Sequence, residues 1–286
     1  MKRRTFLQCT LAGMAGCRHA QPSQGKTMHA GPFAVTVPVA WSRKASITKV
    51  PIQPLYSADD WKAYQNDARR VLKPAYECRP QHWALRFPGA LPKSVPFSIE
   101  TSGGDPTAPQ ILIHKADEWA VAFTDGVHEE KKPVDLLRGM RQSMDQATVR
   151  DDRHLSPAFM DAELSFMCLK RRIDFQGGHG VRLVAQWTIE PDLMRLGELH
   201  YLFLGMSDDN TCQIIATFPL TLPGLPSHED KSHLGRSTAD YAELSRSFSR
   251  YEADAKRWLQ DHEGQIIPSL QTLDGVMQSL NATHWA

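Results

Sequence analysis

Residues 164–189 read LSFMCLKRRIDFQGGHGVRLVAQWTI, and this stretch decides the fold. In its first half Leu169, Ile173 and Phe175 share one parity with Arg171, while Lys170, Arg172 and Asp174 take the other. Alternation with period two marks a strand, because successive side chains point to opposite faces. Gly177-Gly178-His179-Gly180 then supplies residues that accept positive φ, so the chain turns back as a hairpin. On the return strand Val181, Leu183, Ala185, Trp187 and Ile189 fall on one face.

Working outward, Glu190-Pro191-Asp192 stops that strand, since proline cannot donate to a sheet ladder. A third strand follows at Leu199–Gly205, a turn at Ser207-Asp208-Asp209-Asn210, and a fourth strand at Cys212–Phe218. Asp, Asn and Ser favour such turns because their side chains bond nearby backbone. The result is a four-strand meander over 163–222 with one apolar face, which needs a cover to be stable in water. The trailing segments supply one. Tyr241, Leu244, Phe248, Tyr251, Ala255 and Trp258 step along a helix as one apolar stripe, with Gly264 expected as its C-cap. Pro268-Ser269 opens a last helix with Leu270, Leu273, Val276, Met277 and Leu280 inward. The expected fold class is therefore α+β, a mainly antiparallel sheet covered by C-terminal helices.

Several short motifs in order carry a family resemblance. They are His154–Pro157, Asp174–Trp187, Leu199–Asp209, Phe218–Pro226 and Pro268–Asp274. Together they resemble a family of uncharacterised bacterial lipoproteins common in cyanobacteria, across roughly the C-terminal half. The family pattern runs F-x-N-G-x-G-V-R-F-x-T-Q-Y, Y-x-F-Q-G-L-T-x-D-G, F-P-V-x-x-P-x-L-P and P-S-L-x-x-L-D. This chain has a glycine for the Asn, Trp187 for the Tyr and Leu204 for the Gln. The resemblance implies a lipoprotein and carries no activity with it. The strand order is also similar to the PsbP type of α/β sandwich, an assembly or binding module, as an analogy of fold alone.

The N-terminus agrees with export. Arg3-Arg4-Thr5-Phe6-Leu7 resembles a twin-arginine signal, and Met14-Ala15-Gly16-Cys17 resembles a lipobox whose cysteine accepts lipid. Residues 1–16 are expected to be a signal peptide and 17–31 a polar, lipidated tether. A single α+β domain is expected over 32–280, with a frayed tail at 281–286. Arg3 and Arg4 would direct export, and acylation at Cys17 would hold the chain at the periplasmic face without a spanning helix. Removing Lys2, Arg3 and Arg4 from the 33 basic residues leaves them two fewer than the 32 acidic ones. With 41% hydrophobic and 23% charged residues, composition is that of an ordinary folded domain with no basic stripe, so no nucleic-acid partner is expected. Cys78, Cys168 and Cys212 remain after processing, enough for at most one intramolecular disulfide.

In the N-terminal half, Phe33–Val37 is a strand ended by Pro38 and sealed by Trp41. Helices are expected from Ser57 and from Pro133, and strands at Trp83–Phe87 and Phe97–Ile99. Gln110–His114 and Trp119–Phe123 read as a hairpin.

No motif specifies chemistry. His228 and His233 are five apart, whereas the zinc motif H-E-x-x-H sets them four apart on one helical face. Asp151–His154 lacks a nucleophile elbow, and His128–Lys132 is a charged loop. Asp161, Glu163 and Glu198 could act as paired carboxylates if the fold brought them together. No catalytic or metal-binding residue is assigned, and no cofactor. The reading is an exported, membrane-anchored lipoprotein that binds an envelope protein or small ligand without catalysis. The alternative is an envelope hydrolase with a dispersed carboxylate and histidine site. Metal or cofactor handling is a third idea, because twin-arginine export carries prefolded cargo.

Overall fold

The computed structural model describes residues 25–54, 78–93, 107–123, 163–283 and 285, with single positions 59, 62, 63, 66, 138 and 141. Arg3, Arg4 and Cys17 lie outside the described residues. So do most of the two helices expected from Ser57 and Pro133, the Phe97–Ile99 strand, and the 128–132 and 151–154 segments.

The meander forms as its alternation and turns dictate. Strands β6 (Glu163–Phe175), β7 (Gly178–Thr188), β8 (His200–Ser207) and β9 (Cys212–Pro219) are sequential antiparallel neighbours. They are more than half of a larger sheet. Beyond β9 come β5 (Gln110–Lys115), β4 (His82–Arg86) and β3 (Ser46–Val50), giving seven antiparallel strands in the order β3-β4-β5-β9-β8-β7-β6. A separate hairpin pairs β1 (Gly25–Ala30) with β2 (Phe33–Pro38), and a small one pairs β10 (Ser232–His233) with β11 (Arg236–Ser237).

The expectation of one covered face is corrected. Every residue of β8 and β9 is buried. Tyr201, Phe203, Ile214, Ala216 and Phe218 belong to the core under the C-terminal helices, whereas Leu202, Leu204 and Ile215 belong to a second core on the opposite face. Val181, Leu183 and Ala185, the parity chosen from the sequence, lie in that second core, while Val184 faces the helices. Continuous apolar runs such as Tyr201-Leu202-Phe203-Leu204 are the mark of a strand buried on both sides.

A bulge explains the mixed parity of β6. Its register shifts between Cys168 and Arg171, and Leu169 has φ +50. The extra residue turns the strand over, so Phe166 and Cys168 before it and Ile173 and Phe175 after it reach the same core. At the β6–β7 turn Gly177 has φ +89, a region that favours glycine. Gly180 is needed for room: a Cβ there would sit 2.4 Å from both the Leu204 carbonyl oxygen and the Phe203 ring.

Helix α1 is short (Val39–Ser42) and buries Trp41, whose ring centroid lies 5.6 Å from that of Phe218. Glu118–Phe123 forms helix α2, which replaces the expected second hairpin strand. Its apolar residues bury at helical spacing, Trp119 and Ala122 inward and Val121 outward, and the Trp119 indole donates to Gln213 Oε1 at 2.6 Å. Helix α3 (Tyr241–Asp261) is capped by Asp240, whose carboxylate accepts from the Glu243 N–H. It buries Leu244, Tyr251, Ala255 and Leu259, but Tyr241 stays exposed. The helix ends at His262, and Gly264 falls in the following 3-10 turn rather than capping it. Helix α4 (Leu270–Gln278) starts on Ser269 and packs against β6 and β2 with all five expected apolar residues buried.

Two boundaries change. Gly25–Ala30 lies inside the stretch read as tether, yet it pairs with β2 through its full length. Its outward face is exposed, which is why a polar sequence suffices there. Asn281, Ala282 and Trp285, which fall in the stretch expected to fray, are docked on the fold. Asn281 bridges Ala34 and Gln176, Ala282 is fully buried, and the Trp285 ring sits 5.4 Å from Phe33.

A buried ion pair ties α4 to the sheet. Arg182 on β7 donates through Nε to Asp274 Oδ1 at 3.2 Å and through Nη2 to Oδ2 at 3.3 Å; both side chains are about 5% exposed or less. The Tyr201 hydroxyl donates to Asp274 Oδ1 at 3.2 Å, Arg171 reaches Oδ2 at 3.4 Å, and Arg182 Nη1 donates to the Leu169 carbonyl at the bulge. Replacing Asp274 by Ala strands a buried guanidinium and should lower the unfolding free energy by about 3–5 kcal/mol in urea titrations. Replacing both Arg182 and Asp274 by Met should cost less than Asp274→Ala alone; an equal or greater loss would show that the charge pairing is not what α4 depends on.

Acid should also destabilise the fold. His82 and His114 are cross-strand partners on β4 and β5, both buried, with ring centroids 4.8 Å apart. Burial lowers His82 to about 4 and pushes His114 well below the ordinary histidine value, with His82 nearby as a second cause. The folded state therefore keeps both rings neutral where the unfolded chain protonates them. Stability is full above about pH 6.5 and falls as pH drops toward about 4, by roughly 3 kcal/mol for His82 alone. His82→Gln should flatten that slope in pH-dependent denaturation; an unchanged slope would refute the assignment.

Candidate functional site

At the end of β7 the chain leaves the sheet, and the connector to β8 is pinned in place. Leu193 and Met194 plug the core beside α3. Arg195, itself buried, makes a fork onto Asp192, Nε to Oδ2 at 3.3 Å and Nη2 to Oδ1 at 3.1 Å. Its Nη1 donates to the carbonyls of Ser227 and Asp230 at 3.0 and 2.9 Å. The Met194 N–H donates to the Tyr251 hydroxyl at 2.6 Å, and that hydroxyl lies 2.9 Å from His233 Nδ1. A loop held by this many bonds is a rigid wall.

That wall borders an open groove of about 780 Å³, within the range of small-ligand sites. Trp187, Thr188 and Ile189 line one part, Glu198 and Lys231 another, and Tyr241 on the first turn of α3 a third. Ile189 is 85% exposed and Tyr241 48%, so the groove offers apolar surface to solvent. The buried Trp187 indole N–H and Thr188 hydroxyl have no hydrogen-bond partner among the described residues.

Glu198 is the chemically distinctive group. Its Oε2 accepts from Gln186 Nε2 at 2.9 Å, and its Oε1 lies 3.5 Å from His228 Nδ1. Burial raises its pKa above the usual carboxylate value; the nearby Asp192 adds to this, while His228 and Arg195 oppose it. A carboxyl in this setting can keep a proton longer than an exposed one, and it can donate or accept a hydrogen bond.

The structure separates most of the other candidates. Asp161 lies outside the described residues; the Glu163 backbone pairs with Thr188, at the strand end bordering the groove. His228 approaches Glu198 while His233 is buried against Tyr251 and Trp258, so the two histidines do not act together. Among the described residues no three His, Cys, Asp or Glu side chains gather as metal ligands. Cys78, Cys168 and Cys212 are buried, Cys212 Sγ lies 3.5 Å from Thr211 Oγ1, and burial pushes the Cys168 thiol up to about 12. No helix among the described residues is long and apolar enough to cross a membrane.

Sequence reasoning singled out Glu198 and missed Trp187, Thr188 and Arg195 as its neighbours. The one available signal was Glu190-Pro191-Asp192, a polar strand stop followed by a lone arginine. No protein-family model, curated protein or solved structure gives a significant match to this chain.

Proposed function

We propose that this protein is an exported lipoprotein, directed by Arg3 and Arg4 and anchored through lipid on Cys17, that binds a small ligand at the periplasmic face without catalysis. The observation that carries the binding role is the groove at the end of β7: a cavity of ligand size with a wall pinned by hydrogen bonds, exposed apolar surface at Ile189 and Tyr241, and the Glu198 carboxyl in its lining. The N-terminal motifs and the lipoprotein resemblance supply the anchoring part. The groove's described lining residues all lie between 187 and 244, far in sequence from the anchor.

One observation favours a second reading. A half-buried carboxyl with a raised pKa beside a histidine is suited to general-acid work, which would make Glu198 part of a hydrolase site. Mass spectrometry of the ligand retained by protein purified from its own envelope separates the two. Intact ligand supports binding, and cleaved product whose formation stops in Glu198→Gln supports hydrolysis.

Anchoring has its own test. The wild-type chain should take up an alkyne-tagged fatty acid and sediment with membranes, and Cys17→Ser should do neither. Lys at both Arg3 and Arg4 should leave an unprocessed precursor in the cytosol. Labelling that survives Cys17→Ser would overturn the assignment of the lipid to this residue.

A further inference from the structure

We propose that the edge of the molecule built from β1, α1 and β3 is a membrane-facing surface that recognises anionic phospholipid headgroups. It acts in addition to the anchor, and it rests on reading Cys17 as the lipidated residue, because the lipid is what brings this edge to the bilayer.

Charge is divided unevenly along the chain. All 32 acidic residues lie at Asp59 or later, whereas Arg18, Lys26, Arg43, Lys44 and Lys49 all precede it. The fold gathers the last four of these basic residues along one edge. Strand β1 pairs with β2 through its full length, which sets Gly25 opposite Pro38, just ahead of α1. Helix α1 packs against β1, and β1 against β3, the edge strand of the large sheet. The turn after β1 closes on the Trp83 ring, which lies 2.8 Å from where a Cβ at Gly31 would sit. The Lys49 ammonium stands over the same ring, 5.9 Å from its centroid.

Lys26, Arg43, Lys44 and Lys49 are exposed, and none forms an ion pair with a described residue. The acids at the start of α2, Asp117 and Glu118, are paired with Lys115, and that helix covers the opposite face of the sheet. Val39, 38% exposed, lies one turn before Arg43 and adds an apolar side chain to the same edge. Cations with no carboxylate to answer them suit a surface of negative charge, and each Lys or Arg near an anionic bilayer strengthens binding about fivefold.

The tether favours a bilayer over a soluble anion. Strand β1 starts at Gly25, eight residues after Cys17, a span of at most about 28 Å when fully extended. A lipid on Cys17 therefore holds this edge beside the headgroups at high local concentration. Strand β7 is five strand positions from β3, roughly 24 Å, so this orientation keeps the groove clear of the bilayer.

The test is amine footprinting by mass spectrometry. The lipidated protein is reconstituted into vesicles of phosphatidylcholine, alone or mixed with phosphatidylglycerol. With phosphatidylglycerol, Lys26, Lys44 and Lys49 should acylate about tenfold more slowly or less. Lys170 on β6, the strand at the other edge of the sheet, should label equally in both. The protection should vanish at about 1 M salt, where the Debye length is about 3 Å. Arg43→Gln with Lys44→Gln should return Lys26 and Lys49 most of the way to the phosphatidylcholine rate. Thermal melts of that variant should match the wild type, because both side chains are exposed and unpaired. Flotation separates this surface from the anchor. Protein that floats with both vesicle types while its lysines label equally keeps the anchor and loses the surface. Protein that floats only with phosphatidylglycerol, with the three lysines protected, loses the anchor and keeps the surface. Protection by polyglutamate or inorganic phosphate, with none from phosphatidylglycerol, would assign the edge to an acidic protein or a small anion and overturn the membrane reading.

Discussion

A guanidinium and a carboxylate buried against each other hold this molecule in register. Arg182 and Asp274 are 92 residues apart in sequence, and each would be costly to bury alone. Together they use most of their bonding capacity: two bonds to each other, one from Tyr201, one from Arg171 and one to the Leu169 carbonyl. The pair determines which face of β7 lies under α4, because a one-residue slip would carry Arg182 into the opposite apolar core. It also gives the β6 bulge a purpose. The left-handed backbone at Leu169 lets its carbonyl meet Arg182 while Phe166 and Ile173 still enter the same core.

With α4 fixed, the C-terminal segment follows. Asn281 and Ala282 bond to Ala34 and Gln176, which stitches the N-terminal hairpin to the β6–β7 turn. The chain's first and last described segments thus close over the same helix-side core. The groove sits at the other end of β7, where the strand runs out and the connector is locked by Arg195 and Tyr251. The strand that carries the main ion pair therefore also carries Trp187 and Thr188, so the site is built on a rigid element rather than on a free loop.

Arg182, Tyr201 and Asp274 each come from a different motif among those quoted for the lipoprotein resemblance, and they meet at one point. None of the three is a plausible ligand contact, being enclosed under α4. A polar letter in such a motif is thus accounted for here by core satisfaction, and the polar residues of the groove have to be sought elsewhere. Glu198 was visible as a carboxylate before the third strand. Its raised pKa was not, because that arises from burial, with Asp192 adding to it, and outweighs the opposing charge of His228; all of these depend on the folded connector and the loop before β10.

From the amino-acid sequence alone one could read the four central strands and their order, both C-terminal helices and their buried stripes, and the α+β class. These depend on periodicity and turn chemistry, which act over a few residues. The tertiary structure alone decided the other three strands' place beyond β9, the second buried face, the helical state of Glu118–Phe123, the docking of the last residues and the groove. Those outcomes depend on which distant segments meet. Trp119 becomes helical because Gln213 and an apolar sheet face await it, and Thr188 comes to line a groove with Tyr241 of α3; such partners are far away in sequence and close only once the chain has folded.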